Sequence, residues 1–406
     1  MTRREKLEAD AKALGMSLDY EPVKLIDNIF ACGEEEWIKS MAKGIGSSAT
    51  AVAMGRTKYK TPAELVLEKV TGKGLPISDD PTTQYRLSSG HHQETALLKW
   101  YANVIGYEVA LVDPLNPSTS EVKDVSEITD EEWAMWEGKG VVCVDHARYG
   151  HPLYPFLFTD PDAVCYPPSR ERYALEFKTG DSREFKFKWK TGIYPDGMVG
   201  NPGYIEQARE HMAVLNVNRC DVVAGCDFNA DNNVVVTVYR DMAKEKDLID
   251  ACAKVWKNVE TGIIPEFTTL SDTSYANVAT MLTPENLSEE DFVVSEEYRD
   301  TIEEIFSLKD QKKELMDKCN SIEERINALN VSLISALEGH AHATMPSMIE
   351  GKTIYFELGS VSRKTFNKDK LKLEDPETFA RYSEVKVTDE KKLTIKEKKT
   401  VKAKKR

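Results

Sequence analysis

No stretch of this chain is apolar for long enough to span a bilayer, so no segment reads as a transmembrane helix. Cysteine is sparse: seven residues, at 32, 143, 165, 220, 226, 252 and 319, are odd in number and contain no Cys-x-x-Cys. That pattern argues against a disulfide framework or a structural zinc site. The cysteines read instead as small buried hydrophobes. A surplus of positive charge is missing too, with 54 Lys and Arg against 68 Asp and Glu and a formal net charge of -14. Any role on nucleic acid would therefore need a local basic surface, because phosphate contacts supply most nonspecific affinity. The opening Met1-Thr-Arg-Arg-Glu-Lys6 is followed by no apolar segment of signal-peptide type, so a cytoplasmic setting is expected.

Against those absences stand 406 residues, room for two or three domains, and a hydrophobic fraction of 41%, enough for a substantial core. The most informative segment is Pro161-Asp162, then thirteen residues, then Glu176-Phe177-Lys178 within Tyr173-Ala-Leu-Glu-Phe-Lys-Thr-Gly180. Residues two apart on a strand face the same side, so Glu176 and Lys178 point together while Leu175 and Phe177 point into the core. Pro167-Pro168-Ser169 is a turn signal that folds this strand back toward Asp162. Two convergent carboxylates beside one ammonium suit a hard divalent cation that keeps positions open for water and phosphate. The spacing alone also fits a turn aspartate and a solvated Glu/Lys strand face, so context has to decide.

That context is a set of segments in a fixed order. Trp37 leads to Gly44-Ile-Gly-Ser-Ser-Ala-Thr-Ala-Val-Ala-Met-Gly55, then Lys58-Tyr-Lys-Thr-Pro-Ala-Glu-Leu65, then Gly90-His-His-Gln-Glu94. Beyond Lys178 come Trp189, Gly203-Tyr-Ile-Glu-Gln-Ala-Arg-Glu-His-Met212 and Arg240-Asp241. In this order, over roughly residues 30 to 270, the chain resembles the YqaJ-type viral recombinase family, lambda-exonuclease-like nucleases of the PD-(D/E)xK superfamily. The resemblance implies an α/β restriction-endonuclease-like core, a central mixed sheet flanked by helices, with a long-helix region and a small basic end piece after it. The missing cysteine cluster separates the chain from iron-sulfur relatives.

What the resemblance implies for individual residues is specific. Asp162 and Glu176 become metal ligands, with the Phe177 carbonyl and Glu94 beside them, and Lys178 places or deprotonates the attacking water. Gln207, one turn from Tyr204 and from His211, borders the centre; His211 itself is left without a role. Ser48, with Ser47, Lys43 and Tyr204, would hold DNA, the loop's N-H groups receiving a terminal phosphate. An ordinary N-cap is the plainer reading of those serines. Many relatives have an arginine about seven residues before that serine, where this chain has Met41. The implied activity is Mg2+-dependent 5'-to-3' digestion of one strand of linear duplex DNA, with Mn2+ as a substitute. Double-stranded DNA ends, a single-strand annealing protein and ring-type homo-oligomers are the implied partners, in a host bacterial cytoplasm if the gene is a phage's. An endonuclease on the same fold, or a silent DNA-binding or assembly protein, is the alternative.

The expected organisation is a lead-in over 1–35, a nuclease core over 36–270 with 113–150 as a possible insertion, a coiled-coil-like helical region over 271–340 and a basic piece over 341–406. Within the core, helical spacing covers Gly90 to Ile105, and strands are expected at Tyr107 to Val112, Phe156 to Thr159, Tyr173 to Thr179, Asp221 to Cys226 and Val234 to Arg240. Helices are expected from Tyr204 to Val217 and from Met242 to Glu260. Leu315, Cys319, Ile322, Ile326, Leu329, Leu333 and Ala336 recur at intervals of four and three, a heptad seam that fits either an amphipathic helix packed in its own chain or self-association. Ile354 to Leu358 and Lys392 to Lys396 read as two strands of a small sheet. Basic residues gather at Arg183, Lys186, Lys188 and Lys190 and in the tail from Lys391, which reads as a disordered end or a DNA-tracking arm.

Overall fold

Runs of β-branched residues build the centre of the molecule. In the computed structural model, which describes residues 2–57, 60–72, 81–180, 189, 192–194, 202–226, 229–267, 272–283, 292–346, 353–358, 372–373, 375–377 and 379, they form a seven-stranded mixed sheet. Its strands are β3 (Glu108–Val109), β4 (Val141–Val144), β7 (Ala163–Tyr166), β8 (Tyr173–Gly180), β9 (Gly192–Tyr194), β10 (Arg219–Cys226) and β11 (Val234–Tyr239), in the order β3-β4-β7-β8-β10-β11-β9. Strands buried on both faces read as near-continuous apolar runs, as Val234-Val-Val-Thr-Val-Tyr239 does. β8 lies mid-sheet, antiparallel to β7 and parallel to β10.

Helices cover both faces. On one, α5 (Pro81–Ile105) brings Leu97, Leu98 and Tyr101 onto Leu175, Phe177 and Val223. On the other, α7 (Pro202–Leu215) and α8 (Met242–Thr261) bring Ala208, Met212 and Leu248 onto Ala174, Val222 and Val236. Fully burying one such aliphatic side chain is worth roughly 1.5–3 kcal/mol. α8 starts where the Asp241 carboxylate accepts from the Ala243 and Lys244 N-H groups, and ends at Gly262, whose φ of 67° is open to glycine. α4 (Pro62–Thr71) begins with a Thr61/Glu64 capping box and packs on α8.

A second sheet of four strands has the order β1-β5-β6-β2, where β1 is Val23–Ile26, β2 Ile45–Gly46, β5 Arg148–Gly150 and β6 Leu157–Thr159. The segment before residue 36 thus supplies an edge strand. Gly44 and Gly46 are dictated by close approach: a Cβ on Gly44 would stand 2.7 Å from the Phe156 carbonyl oxygen, and one on Gly46 2.8 Å from the Phe158 ring.

Several expectations are corrected. The stretch 113–150 holds β4 and β5, one in each sheet, so it is not simply an excursion from the core. The expected Phe156–Thr159 strand lies in the four-stranded sheet, and the strand beside β8 is β7, which sequence periodicity did not single out. The strand expected over Tyr107 to Val112 is regular only at Glu108–Val109, and the helix expected from Gly90 begins at Pro81.

Two compact units divide the chain, the first reaching Glu285 and the second running from Asn286 to Asp389. In the second, the 38-residue helix α10 (Arg299–Ala336) and a hairpin, β12 (His342–Pro346) with β13 (Thr353–Glu357), are the main elements. The strand at Ile354 therefore pairs with β12; Lys392 to Lys396, the tail and the basic cluster Arg183, Lys186, Lys188 and Lys190 lie outside the described residues. No helix among the described residues is long and apolar enough to cross a membrane.

Candidate active site

Alternation along β8 sends Glu176 and Lys178 to the face covered by α7 and leaves Phe177 on the face covered by α5. β7 and β8 pair with Ala163 opposite Leu175, and continuing that register sets Asp162 alongside Glu176. The Phe177 N-H donates to Asp162 Oδ2 at 2.7 Å. An extended residue directs its N-H and C=O to the same side, so the Phe177 carbonyl leaves the strand on the Asp162 side.

Glu176 is 2% exposed and held by three donors. Lys178 Nζ donates to its Oε1, as does Gln207 Nε2 at 2.7 Å, while His211 Nε2 bonds Oε2 at 2.7 Å. The far nitrogen of His211 bonds Thr159 Oγ1 on β6, which fixes the ring. Gln207 and His211 are one turn apart on α7 and so reach the same carboxylate. Tyr204, a turn earlier, places its ring 5.0 Å from Lys178 Nζ and stacks on Trp189 at 6.0 Å.

Charge state follows from these contacts. Burial opposes ionisation of Glu176, but Lys178 and then His211 outweigh it and bring its carboxyl down to about 2. For Lys178, burial alone would lower the pKa, yet Glu176 and Asp162 raise it, so its ammonium is firmly charged. Asp162 goes the other way: burial first, then the charges of Glu176 and Glu94, push it well above the usual carboxylate range despite Lys178 and the Phe177 N-H. Asp162 and Glu94 line one cavity of about 260 Å3 with Asp160, His146 and Phe177.

Asp162, Glu176, Lys178 and Gln207 therefore meet, and Glu94 shares the Asp162 cavity. Glu176 does not line that cavity. Among the described residues no group of three or more His, Cys, Asp or Glu side chains stands ready to hold a metal ion. The donors present, carboxylates with one carbonyl, are the hard oxygens that Mg2+ takes.

The serine loop is different. Ser47–Ala49 forms a 3-10 turn leading into α3 (Thr50–Ala53), a single helical turn, so few backbone N-H groups are offered. Ser47 is buried, whereas Ser48 and Lys43 are exposed. α7 packs on both this turn and β8.

Three polar groups escaped the sequence reading. His211 had a signal, its i+4 spacing from Gln207, but its partner depends on α7 crossing β8. Arg148, 1% exposed, faces Asp160 across β5 and β6: its Nε donates to Oδ1 at 2.7 Å and its Nη2 to Oδ2 at 2.6 Å. The same guanidinium donates to Ser40 Oγ, touches Met41 Sδ at 3.3 Å and lies over the Phe158 ring. A buried arginine thus stands against Met41 and is already neutralised by Asp160. Glu210 is fully buried on α7 and neither carboxylate oxygen has a hydrogen-bond partner among the described residues. Burial, then Asp160, pushes its pKa well up, while nearby Lys69 is lowered to about 8 by its own burial.

Fold and site together define a mixed α/β protein whose central strand carries a carboxylate and a lysine beside a second carboxylate from the neighbouring strand. Residues 36–218 match the YqaJ-like viral recombinase domain. No curated protein matches the chain. Among solved structures it is similar to the alkaline exonuclease LHK-Exo of Laribacter hongkongensis, at 18% identity over 57% of this chain and 94% of that one, with a TM-score of 0.37. A phage-related exonuclease of Haemophilus somnus 129PT is similar at 13% identity, 54% and 96% coverage and a TM-score of 0.22. The protein of a SOX–DNA complex is similar at 10% identity, 62% and 72% coverage and 0.32.

Proposed function

We propose that the chain is a metal-dependent deoxyribonuclease of phage recombination type, whose core, residues 36–270, digests one strand of linear duplex DNA from the 5' end and leaves 3' overhangs. The observation that carries this reading is the meeting of Asp162, Glu176 and Lys178 at the edge of β7 and β8, inside the segment that matches the recombinase domain. Asp162, the Phe177 carbonyl, Glu176 and Glu94 would hold the ion, Mg2+ in the first instance and Mn2+ as a substitute. When bound, such an ion lowers the pKa of water and neutralises charge on the scissile phosphate.

The chain's own groups do the positioning. Gln207 and His211 keep Glu176 ionised and fixed. Lys178 lies between that carboxylate and the Tyr204 ring, a place from which an ammonium can orient a water or the phosphate. Tyr204 on Trp189 offers an aromatic platform beside it. Ser48 and Lys43 are the exposed loop groups for backbone phosphates. A terminal 5' phosphate finds no unengaged cation in Arg148, so digestion is expected to depend little on it. A single-strand annealing partner and a ring-type oligomer accompany this reading by resemblance alone.

The engaged state of Glu176 favours one competing reading, a silent DNA-binding or assembly protein on the same core. Matched linear duplexes, with and without a 5' phosphate, incubated beside closed circular DNA in Mg2+ separate the possibilities. Loss of linear DNA alone supports the exonuclease. Cutting of circles makes it an endonuclease, and binding without any cleavage makes it the silent protein.

A further inference from the structure

α10 is 38 residues long and none of its residues is buried. Its apolar positions nonetheless fall on one seam. Ile305, Lys312, Cys319, Ile326 and Leu333 occupy the a positions of five heptads, and Leu308, Leu315, Ile322, Leu329 and Ala336 the d positions. Leu308, Leu315, Ile322, Ile326, Leu329 and Leu333 are 47% to 61% exposed. An apolar stripe of that length, interrupted by Lys312, is a surface that lacks its partner among the described residues.

We propose that the partner is a second copy of this chain, and that α10 pairs with α10 of that copy as a parallel, in-register, two-stranded coiled coil. Charge complementarity selects this occupant and register. In a parallel pair each g residue meets the e residue five positions on in the other helix. Glu304 then meets Lys309, Lys318 meets Glu323, Gln311 meets Met316 and Arg325 meets Asn330. With both helices counted, four opposite-charge pairs and no like-charge pair form; slipping one helix by a heptad leaves one pair, Arg325 with Glu323. Stoichiometry follows from the seam residues. β-branched Ile305 and Ile326 at a, with Leu308, Leu315 and Leu329 at d, favour two strands, and Lys312 at a reaches water only if the strands are few.

The register has a chemical signature. Cys319 at an a position faces Cys319 of the other copy in the parallel in-register pair, and an antiparallel pair would set it against a d residue instead. Cys319 is also exposed. The mass of the full chain in sedimentation equilibrium at micromolar concentration should exceed that of Leu315→Asp/Ile322→Asp, twofold where the first unit is itself monomeric. Diamide, which takes up the two thiol hydrogens with their electrons, should join two chains into a dimer that survives denaturing electrophoresis without reductant. Cys319→Ser should abolish that band. Lys312→Ile should tighten the pair at least tenfold, which shows the seam at work even if the aspartate variant loses its helix. Equal masses for wild type and the aspartate variant, with no tightening in Lys312→Ile, would overturn the proposal, as would a halved mass without the Cys319 cross-link.

Discussion

Lys178→Met should destabilise the protein by about 3 kcal/mol or more in metal-free buffer at pH 7, because it strips the main counter-charge from a carboxylate that is 2% exposed. The size can be worked from Glu176 itself. Its carboxyl is brought from 4.5 to about 2, burial notwithstanding, with Lys178 the largest favourable cause, and at ~1.36 kcal/mol per pKa unit the depression is worth about 3 kcal/mol. Since the folded pKa lies below the unfolded one, this contribution is fully present above about pH 4.5 and is lost as pH falls toward 2. Gln207 and His211 would remain as donors to the stranded carboxylate. Glu176→Gln on top of Lys178→Met removes the stranded charge, so the double variant should recover at least half of the loss. Urea unfolding with EDTA present, followed by tryptophan fluorescence, measures all three proteins. A loss below about 1 kcal/mol for Lys178→Met, or a double variant no more stable than the single one, would refute the coupling argued here.

Glu210 behaves oppositely, since its raised pKa means that the folded chain keeps a proton the unfolded chain loses as pH rises above its ordinary value. Glu210→Met should therefore stabilise more at pH 8 than at pH 4, by about 1–3 kcal/mol in thermal or urea unfolding; an equal effect at both would contradict it. His211→Leu leaves Glu176 Oε2 and Thr159 Oγ1 without partners, for which a loss of about 2 kcal/mol or more is expected together with slower cleavage. Unchanged stability would mean that the hydrogen-bonded chain from β6 to β8 is dispensable. Asp160→Asn should free the Arg148 guanidinium and raise the preference for a 5'-phosphorylated end several-fold, measured as binding of labelled duplexes to the Lys178→Ala protein. The same preference before and after substitution would remove Asp160 from end selection.

How much of this was legible beforehand depends on the range of the interaction. Glu176 and Lys178 were readable because strand alternation is local, and the valine runs of β10 and β11 announced buried strands. The helices ending near Leu215 and Thr261 were readable for the same reason. His211 was not, because its role requires α7 to lie across β8, a packing fact with no local trace beyond one helical turn. Arg148 and Asp160 are only twelve residues apart, yet their pairing needs β5 and β6 to be neighbours in a sheet that no periodicity revealed. Ser47 read as a companion of Ser48 in holding DNA, but it is buried on a turn against which α7 packs. The hairpin formed by β12 and β13 was not legible because periodicity did not single out His342–Pro346 as a strand; the expected strand from Lys392 to Lys396 lies outside the described residues.

The central claim is that Asp162, Glu176 and Lys178 form one metal-dependent hydrolytic centre. The most direct measurement is release of nucleotides from a linear duplex by wild type, Asp162→Asn and Lys178→Ala, each in Mg2+ and in EDTA, with DNA binding recorded in parallel. Cleavage by the wild type in Mg2+ alone, lost by at least a hundredfold in both variants while DNA is still bound, is the result expected. Cleavage that survives either substitution, or that proceeds in EDTA, would contradict the account.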